Sequence, residues 1–264
     1  MFNWKQITSH PRLTAVVDVL GAVIFLWWLN HLNVTWELIA WIFSRALFIT
    51  VLVRFTFYPT GWNRLRHLAS LYLFNFGFLL VLLFTEWRGA TILADILFIF
   101  APAVSFWLLP ARSDTALIDF KPYRRARLAL SVLGLSGMWM GIFASITLNI
   151  FKVNFWLWLI LGALISALTA LWWWREYENT LDKKQWLWFG AMFMMILELA
   201  WVIYLLPIGY FITGVVMAWF WYCLWIFVRF HLNSAGINWH KQKNFLIING
   251  GWLILLLVFL ARWR

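Results

Sequence analysis

Charged residues are scarce in this 264-residue sequence, in which Asp, Glu, Lys and Arg together make up only 12% of the chain. Soluble domains contain about 25% charged and about 45–50% apolar residues. Here 64% of the residues are hydrophobic, and the mean hydropathy is +0.81. A soluble body of this length would have to expose much of that apolar surface to water. The scarcity of charge therefore excludes a soluble domain and indicates a protein embedded in lipid.

Cysteine is nearly absent, since the sequence contains Cys223 alone, inside an apolar run. A single cysteine cannot form an internal disulfide, so cysteine usage does not indicate the redox compartment. We interpret Cys223 as a small buried hydrophobic residue.

The sequence also lacks the usual signatures of catalytic, cofactor and metal sites. It contains no H-E-x-x-H pattern, no Gly-rich phosphate loop and no D-G-x-x-A-R phosphotransferase pattern. His231 and His240 share a loop, but no nearby residue completes a zinc ligand set. Gly134-Leu135-Ser136-Gly137 matches the G-x-S-G of rhomboid proteases, a reading that requires a histidine on a neighbouring span. All histidines fall in predicted loops or at span edges: His10, His31, His67, His231 and His240. We therefore predict no catalytic residue, no cofactor and no metal ion.

Long apolar runs dominate the chain, and nine of them approach the roughly 20 residues that a helix needs to cross a bilayer. They cover 13–30, 38–58, 68–85, 90–109, 128–149, 155–174, 187–206, 209–229 and 245–262. They show little alternation with period two, which disfavours a β-barrel. Backbone groups in lipid must then hydrogen-bond within their own segment. We predict an all-α, polytopic transmembrane helical bundle with about nine spans, or eight if the last run does not cross.

The first apolar run is expected to remain as a span. It ends in the bulky residues Trp27-Trp28-Leu29-Asn30-His31 and not in the small residues of a signal-peptide cleavage site. We expect residues 1–264 to form a single integral membrane domain. The longest connection, cytoplasmic segment 110–127, would divide it into four spans (1–109) and five spans (128–264).

The net charge of +11 could suggest a nucleic-acid partner, but the basic residues come in small groups between apolar runs. With the N-terminus in the cytoplasm, 15 Lys and Arg residues fall on the inner side and 4 on the outer side. The outer four are Arg88, Lys152, Arg262 and Arg264. This bias follows the positive-inside rule, so we predict a cytoplasmic N-terminus and no nucleic-acid partner. The same loops would attract anionic lipids.

The 23 tryptophans cluster near predicted span ends. Trp prefers the headgroup level of a bilayer, with its ring in the apolar layer and its N–H toward water. We therefore expect belts at the outer turn after the first span (Trp27, Trp28, Trp36) and at an inner loop (Trp172–Trp174, Trp186, Trp188).

Five charged residues fall inside the predicted spans, and they are the candidate functional residues: Asp18, Arg45, Arg54, Asp95 and Glu198. A charge at mid-bilayer costs roughly 2.5–3.5 kcal/mol, so such residues usually pair, face a wet cavity or carry function. Their predicted depths pair Asp18 with Arg54 and Asp95 with Arg45. These pairs would act as structural ties between spans one, two and four, or as part of a transport pathway.

Glu198 has no evident basic partner and lies near the middle of the seventh predicted span. Removed from water, its carboxyl should favour the neutral form and donate a hydrogen bond to a neighbouring helix. Asn75 and Asn249 are the candidate acceptors. The alternative interpretation is a proton or cation site in a transport pathway.

Small residues recur at helical spacing in the fifth span (Gly134, Gly137, Gly141) and in the sixth (Gly162, Ser166, Ala170). Small side chains let helices approach closely in lipid. These stripes predict tight helix packing.

The C-terminal third, Leu181 to Gly251, resembles a family of uncharacterised multi-pass membrane proteins of candidate-phylum bacteria with very small genomes. The resemblance rests on Leu197-Glu198-Leu199-Ala200-Trp201, on the Leu205-Leu206-Pro207 hairpin and on Lys243-Asn244-Phe245-Leu246. That family has no assigned activity, so the resemblance implies a location in a bacterial membrane and little more.

These observations favour a multi-pass protein of the bacterial plasma (inner) membrane without a catalytic centre. It would be a small-substrate or ion transporter, or an accessory subunit with a membrane protein partner. The alternative is an enzyme that acts on lipid or lipid-linked substrates at the cytoplasmic face. Its candidate residues are Asp114, Asp119, Arg124, Arg125, Glu176 and Glu178. A transporter should contain a polar cavity that reaches Glu198 or Asp95. An enzyme should contain a cleft at the inner face, where these acids and arginines converge. An accessory subunit should show only a broad apolar side for its partner.

Overall fold

The structure, a computed structural model, describes residues 10–32, 34–58, 60–85, 87–110, 120–150, 152–178, 183–232 and 239–259. Within these ranges the regular secondary structure is α-helical. The helices are α1 (Pro11–Leu29), α2 (Thr35–Phe55), α3 (Gly61–Phe84), α4 (Arg88–Trp107), α5 (Lys121–Thr147), α6 (Phe155–Glu178), α7 (Lys183–Tyr204), α8 (Tyr210–Leu232) and α9 (Trp239–Phe259).

Helices α1 to α8 are each long and apolar enough to cross a membrane. In α9, the apolar stretch among the side chains that the structure describes is the shorter segment Leu246–Leu255. The prediction of an all-α, polytopic membrane protein is confirmed, and the described residues contain eight helices that qualify as spans.

Polar residues next to the apolar runs determine where several helices begin. The Nδ1 atom of His10 accepts a hydrogen bond from the Arg12 N–H at 3.3 Å, and Pro11 occupies the first turn of α1, where it needs no backbone partner. Thr60 caps α3 in the same way, since its hydroxyl accepts from the Asn63 N–H at 3.2 Å. These caps extend the helices beyond their apolar runs, so α3 begins seven residues before the predicted span.

The chain divides into two compact units, residues 1–134 and 135–264, with the boundary inside α5. The predicted subdivision instead used the connection 110–127, of which residues 111–119 lie outside the described part of the chain.

Glycine explains the close contact between α3 and α5 within the first unit. A methyl group on Gly77 would meet the carbonyl oxygen of Gly134, and one on Gly134 would meet the backbone of Leu73. The backbones of α3 and α5 therefore touch at these two glycines.

In the first unit, α1 packs against α4 and α2, and α3 packs against α2 and α4, so the four helices close a ring of neighbours. In the second unit, α6 and α8 both pack against α7, and α8 also contacts α9. A methyl group on Gly214 of α8 would lie 2.6 Å from the carbonyl oxygen of Ser136 on α5. Gly162, Ser166 and Ala170 are all buried along one face of α6, as the small-residue stripe predicted.

The tryptophans serve two purposes. Trp27 and Trp36 are about two-thirds exposed near the turn between α1 and α2, where the sequence predicts a belt. Trp173 and Trp174 are instead fully buried, so their assignment to an inner belt is wrong. The indole N–H of Trp174 donates to the Trp225 carbonyl at 3.3 Å, which lets the ring pack inside the protein without leaving a polar atom unpaired. Cys223 is buried, as predicted.

Candidate functional site

An ion pair lies at the centre of the first unit. Arg45 stands ten residues from each end of α2. Its Nη2 atom is 3.2 Å from the Oδ1 atom of Asp18 on α1, and its Nε–H donates to the Oδ1 atom of Asn75 on α3 at 3.0 Å. Both ionic side chains are almost fully enclosed, with 2% and 1% of their surface exposed. One arginine thus ties three helices together in a buried region.

Aromatic rings form the walls around this arginine. The guanidinium carbon of Arg45 lies 5.3 Å from the ring centre of Phe25, 5.4 Å from that of Phe48 and 5.2 Å from that of Phe98. Ring faces attract cations most strongly where water is excluded. Because Phe98 belongs to α4, the arginine also contacts the fourth helix of the ring.

The network does not satisfy all of its own polar atoms. The Asp18 Oδ2 and Arg45 Nη1 atoms are buried without a hydrogen-bond partner among the described residues. Both polar atoms of the Asn75 amide are bonded, because its Nδ2 atom also donates to the Leu71 carbonyl at 2.8 Å. A buried polar atom without a partner costs about 1–3 kcal/mol. The pair therefore holds one free carboxylate oxygen and one free guanidinium nitrogen in its apolar surroundings.

The predicted pairs Asp18–Arg54 and Asp95–Arg45 are wrong, and the bounds of α2 explain why. The helix ends at Phe55 and not at residue 58, so Arg54 lies at its very end and is exposed. The start of α1 and the end of α2 lie on the same predicted side of the membrane. At 1.5 Å per residue, Asp18 lies about 10 Å above that side and Arg45 about 15 Å above it, a difference that an arginine side chain spans. Arg54 lies about 9 Å below the level of Asp18. Arg54 can instead extend toward the headgroups.

Asp95 and Glu198 are the two intramembrane acids that remain outside this network. Asp95 is half-buried on α4, seven residues after Arg88, and forms no hydrogen bond or ion pair within the described residues. Its predicted role as a partner of Arg45 is therefore not fulfilled.

Glu198 faces outward from α7, six residues before the end of that helix. Its neighbours along the same face, Met194, Trp201 and Val202, are about half exposed. In the part of the chain that the structure describes, Glu198 forms no hydrogen bond and no ion pair. Asn249 therefore does not accept the predicted bond, and Asn75, the other predicted acceptor, bonds Arg45 within the first unit.

A buried histidine network escaped the sequence analysis. His67 was placed at a span edge, but it lies in the second turn of α3 and is fully buried. Its Nδ1 atom is hydrogen-bonded to the Tyr58 hydroxyl, and its Nε2 atom lies 2.7 Å from the Ser105 hydroxyl of α4. The Ser105 hydroxyl in turn donates to the Pro102 carbonyl at 2.6 Å. The signal that could have revealed it is the polar cap Thr60, which places the start of α3 before His67.

One placement of the protons gives every hydrogen bond of this histidine network a donor and an acceptor. Tyr58 donates to Nδ1 of His67, the Nε2–H donates to Ser105, and Ser105 donates to the carbonyl of Pro102. Ser105 has no exposed surface, so its hydroxyl cannot meet a substrate in this structure. We therefore interpret the network as a structural link between α3, α4 and the connection before α3. The Ser136 hydroxyl of the G-x-S-G pattern forms no hydrogen bond to a histidine within the described residues.

The second unit contains a cavity of about 240 Å³ where the end of α5 and the start of α6 meet the end of α7. Asn149, Lys152 and Tyr204 contribute polar groups to its lining, and both Asn149 and Lys152 adopt the left-handed backbone conformation with φ of 48°. Neither Glu198 nor Asp95 belongs to its lining. This cavity is therefore not the polar pathway that a transporter built on those acids would need.

No group of three or more His, Cys, Asp or Glu side chains in the described residues is arranged to hold a metal ion. Of the acids proposed for a lipid-active enzyme, Asp114 and Asp119 lie outside the described residues.

No protein-family model, curated protein or solved structure matches the sequence. The resemblance of the C-terminal third therefore stays a prediction.

Proposed function

We propose that this integral membrane protein is a non-catalytic subunit that assembles with another membrane protein through α7. The observation that carries the proposal is Glu198, an ionisable side chain exposed on the outer face of a membrane-spanning helix. In our proposal the membrane is a bacterial plasma membrane, the N-terminus is cytoplasmic, and the basic inner loops contact anionic lipids.

The position of Glu198 along α7 makes its exposure costly. The residue lies about 22 Å from the Lys183 end and about 9 Å from the Tyr204 end of the helix. Both distances place the carboxyl within the hydrocarbon layer, where a charge costs roughly 2.5–3.5 kcal/mol. A partner that covers this carboxyl and hydrogen-bonds to it removes that cost.

The contrast with Asp18 strengthens the argument. The same chain encloses Asp18 almost completely and gives it an arginine, which an amide and aromatic rings hold in place. Glu198 receives none of these within the described residues. An acid left outward on an apolar face is better suited to contact with another protein than to the stability of its own fold.

A direct experiment is photo-crosslinking in native membranes. A photoreactive amino acid at Met194 or Trp201, which flank Glu198, should crosslink the chain to another protein. The matched control is Phe43 on α2, which is 71% exposed and also faces outward; it should crosslink to lipid only. Lipid adducts alone at all three positions would show that the α7 face contacts lipid and would refute the proposal.

A second candidate function, transport of a small ion, is favoured by a different observation. The Asp18 Oδ2 and Arg45 Nη1 atoms lack partners near mid-membrane, and ionisable residues there often mark an ion path. Flux measured in vesicles containing the purified chain separates the two functions. A transporter would lose flux in the Arg45→Met variant, whereas an accessory subunit would show none to lose.

A further inference from the structure

The outward face of α7 has the shape of a helix-docking surface. Its members recur every three or four residues and are all exposed: Leu187, Gly190, Met194, Glu198, Trp201 and Leu205. A methyl group on Gly190 would meet nothing within 4 Å, so this face is open at Gly190. An absent side chain on an exposed helix face allows another helix to approach closely. Glu198 lies two turns further along the same face.

The chemistry of the partner follows from the carboxyl. A carboxylate within lipid is best compensated by a cation that donates hydrogen bonds to it, which is how the chain compensates Asp18 with Arg45. Apolar side chains or lipid tails would leave the carboxyl without a donor. An occupant that brings a basic group to the level of Glu198 supplies this donor.

A second copy of the chain is poorly suited to supply that group. Two copies related by an axis along the membrane normal would bring one Glu198 against the other, and two such carboxyls cannot both ionise. Among the described cations, Arg45 is buried. Arg54 lies at the end of α2, on the proposed cytoplasmic side and away from the proposed level of Glu198. Arg88 begins α4, and Lys152 lies in the connection between α5 and α6. Long basic side chains at such positions extend toward water and not toward the core.

These observations lead to one assignment, which rests on the proposed function. We infer that α7 binds a transmembrane helix of a different protein, and that a Lys or Arg of that helix forms an intramembrane ion pair with Glu198. The apolar members of the α7 face provide packing, and Glu198 selects the partner.

The inference can be tested with a defined probe helix. The full chain is reconstituted in phosphatidylcholine vesicles with a fluorescent 21-residue poly-leucine helix that carries one Lys six residues from its outer end. Energy transfer from the labelled chain reports association. We expect the Lys helix to associate about three- to tenfold more tightly than an all-Leu helix. Glu198→Gln should remove this preference, and the matched control Asp95→Asn should keep it.

The outcomes separate the inference from the function it rests on. Equal binding of the Lys and Leu helices, or a Lys preference that survives Glu198→Gln, overturns the ion pair. Energy transfer between two copies of the chain that depends on Glu198 assigns the face to a second copy and also overturns the inference. Crosslinking to another protein at Met194 in native membranes keeps the subunit proposal in either case. Its absence refutes the subunit proposal, and the inference falls with it, even if the probe helix prefers Lys.

Discussion

At the scale of single residues, the fate of each intramembrane charge depends on the direction of its side chain. Asp18 points inward to Arg45, and Glu198 points outward from α7, yet both lie in uniformly apolar sequence. In a soluble helix, polar residues would mark the outer face, but lipid is as apolar as a protein interior. The sequence therefore predicts which residues are unusual and does not predict which of them are enclosed.

The buried ion pair makes a strong prediction for stability. Arg45→Met leaves the carboxylate of Asp18 enclosed without its cation, which costs about 3–5 kcal/mol for buried pairs. The measurement is the free energy of unfolding in detergent, followed by circular dichroism during denaturant titration. The control, Arg54→Met, removes an exposed charge at a helix end and should change that free energy by less than about 0.5 kcal/mol.

The double variant Asp18→Leu/Arg45→Met tests the physical cause. Because both charges are then gone, it should recover most of the stability that Arg45→Met loses. An Arg45→Met protein as stable as Arg54→Met would show that the pair contributes nothing to the fold.

Tyr58 makes a prediction for alkaline pH. Burial is the main cause that raises the pKa of Tyr58 well above its ordinary value, and nearby Tyr123 raises it further. The folded protein then holds this proton more tightly than the unfolded chain, so stability falls as pH rises above about 10. Tyr58→Phe should lose less stability between pH 9 and 11 than the wild type does, measured by thermal unfolding.

Tyr204→Phe is the matched control for that experiment, since Tyr204 is 41% exposed. It should show the same alkaline loss as the wild type. Identical pH profiles for all three proteins would contradict the burial of the Tyr58 hydroxyl against His67.

At the scale of helices, apolar runs predicted the number and approximate position of the elements well. Length is the reason, because only a run of about 20 apolar residues can cross the bilayer. The ends were predicted less well: α3 begins at Gly61 and not at residue 68, and α5 at Lys121 and not at residue 128. Helices continue past the hydrocarbon layer with polar turns that hydropathy does not detect. That error concealed the burial of His67. Arg54 was displaced by the opposite error, because α2 ends at Phe55, three residues before the predicted run does.

The contact between α3 and α5 predicts which glycines cannot be replaced by alanine without a loss of stability. Gly77→Ala inserts a methyl group into the backbone of Gly134, and overpacking of this kind costs about 1–3 kcal/mol. Gly250→Ala on α9 is the control, because a methyl group there meets nothing within 4 Å. Unfolding titrations of both variants should show a loss for Gly77→Ala only, and equal stabilities would refute the close contact.

At the scale of the whole molecule, we propose that the helices cross the bilayer with the basic connections in the cytosol. This arrangement places Asp18 and Arg45 near mid-membrane, and it places Glu198 in the outer half. The composition and the eight qualifying helices support the crossing itself. The direction rests on the distribution of Lys and Arg.

Cysteine labelling of intact cells tests this arrangement most directly. In a Cys223→Ala background, single cysteines replace Pro122, at the start of α5, or Lys152, between α5 and α6; both positions are exposed. A membrane-impermeant maleimide added outside should label position 152 readily and position 122 only after the cells are lysed. Labelling of position 122 in intact cells, with position 152 protected, would show the opposite membrane orientation. It would contradict the placement of Glu198 in the outer half of the membrane.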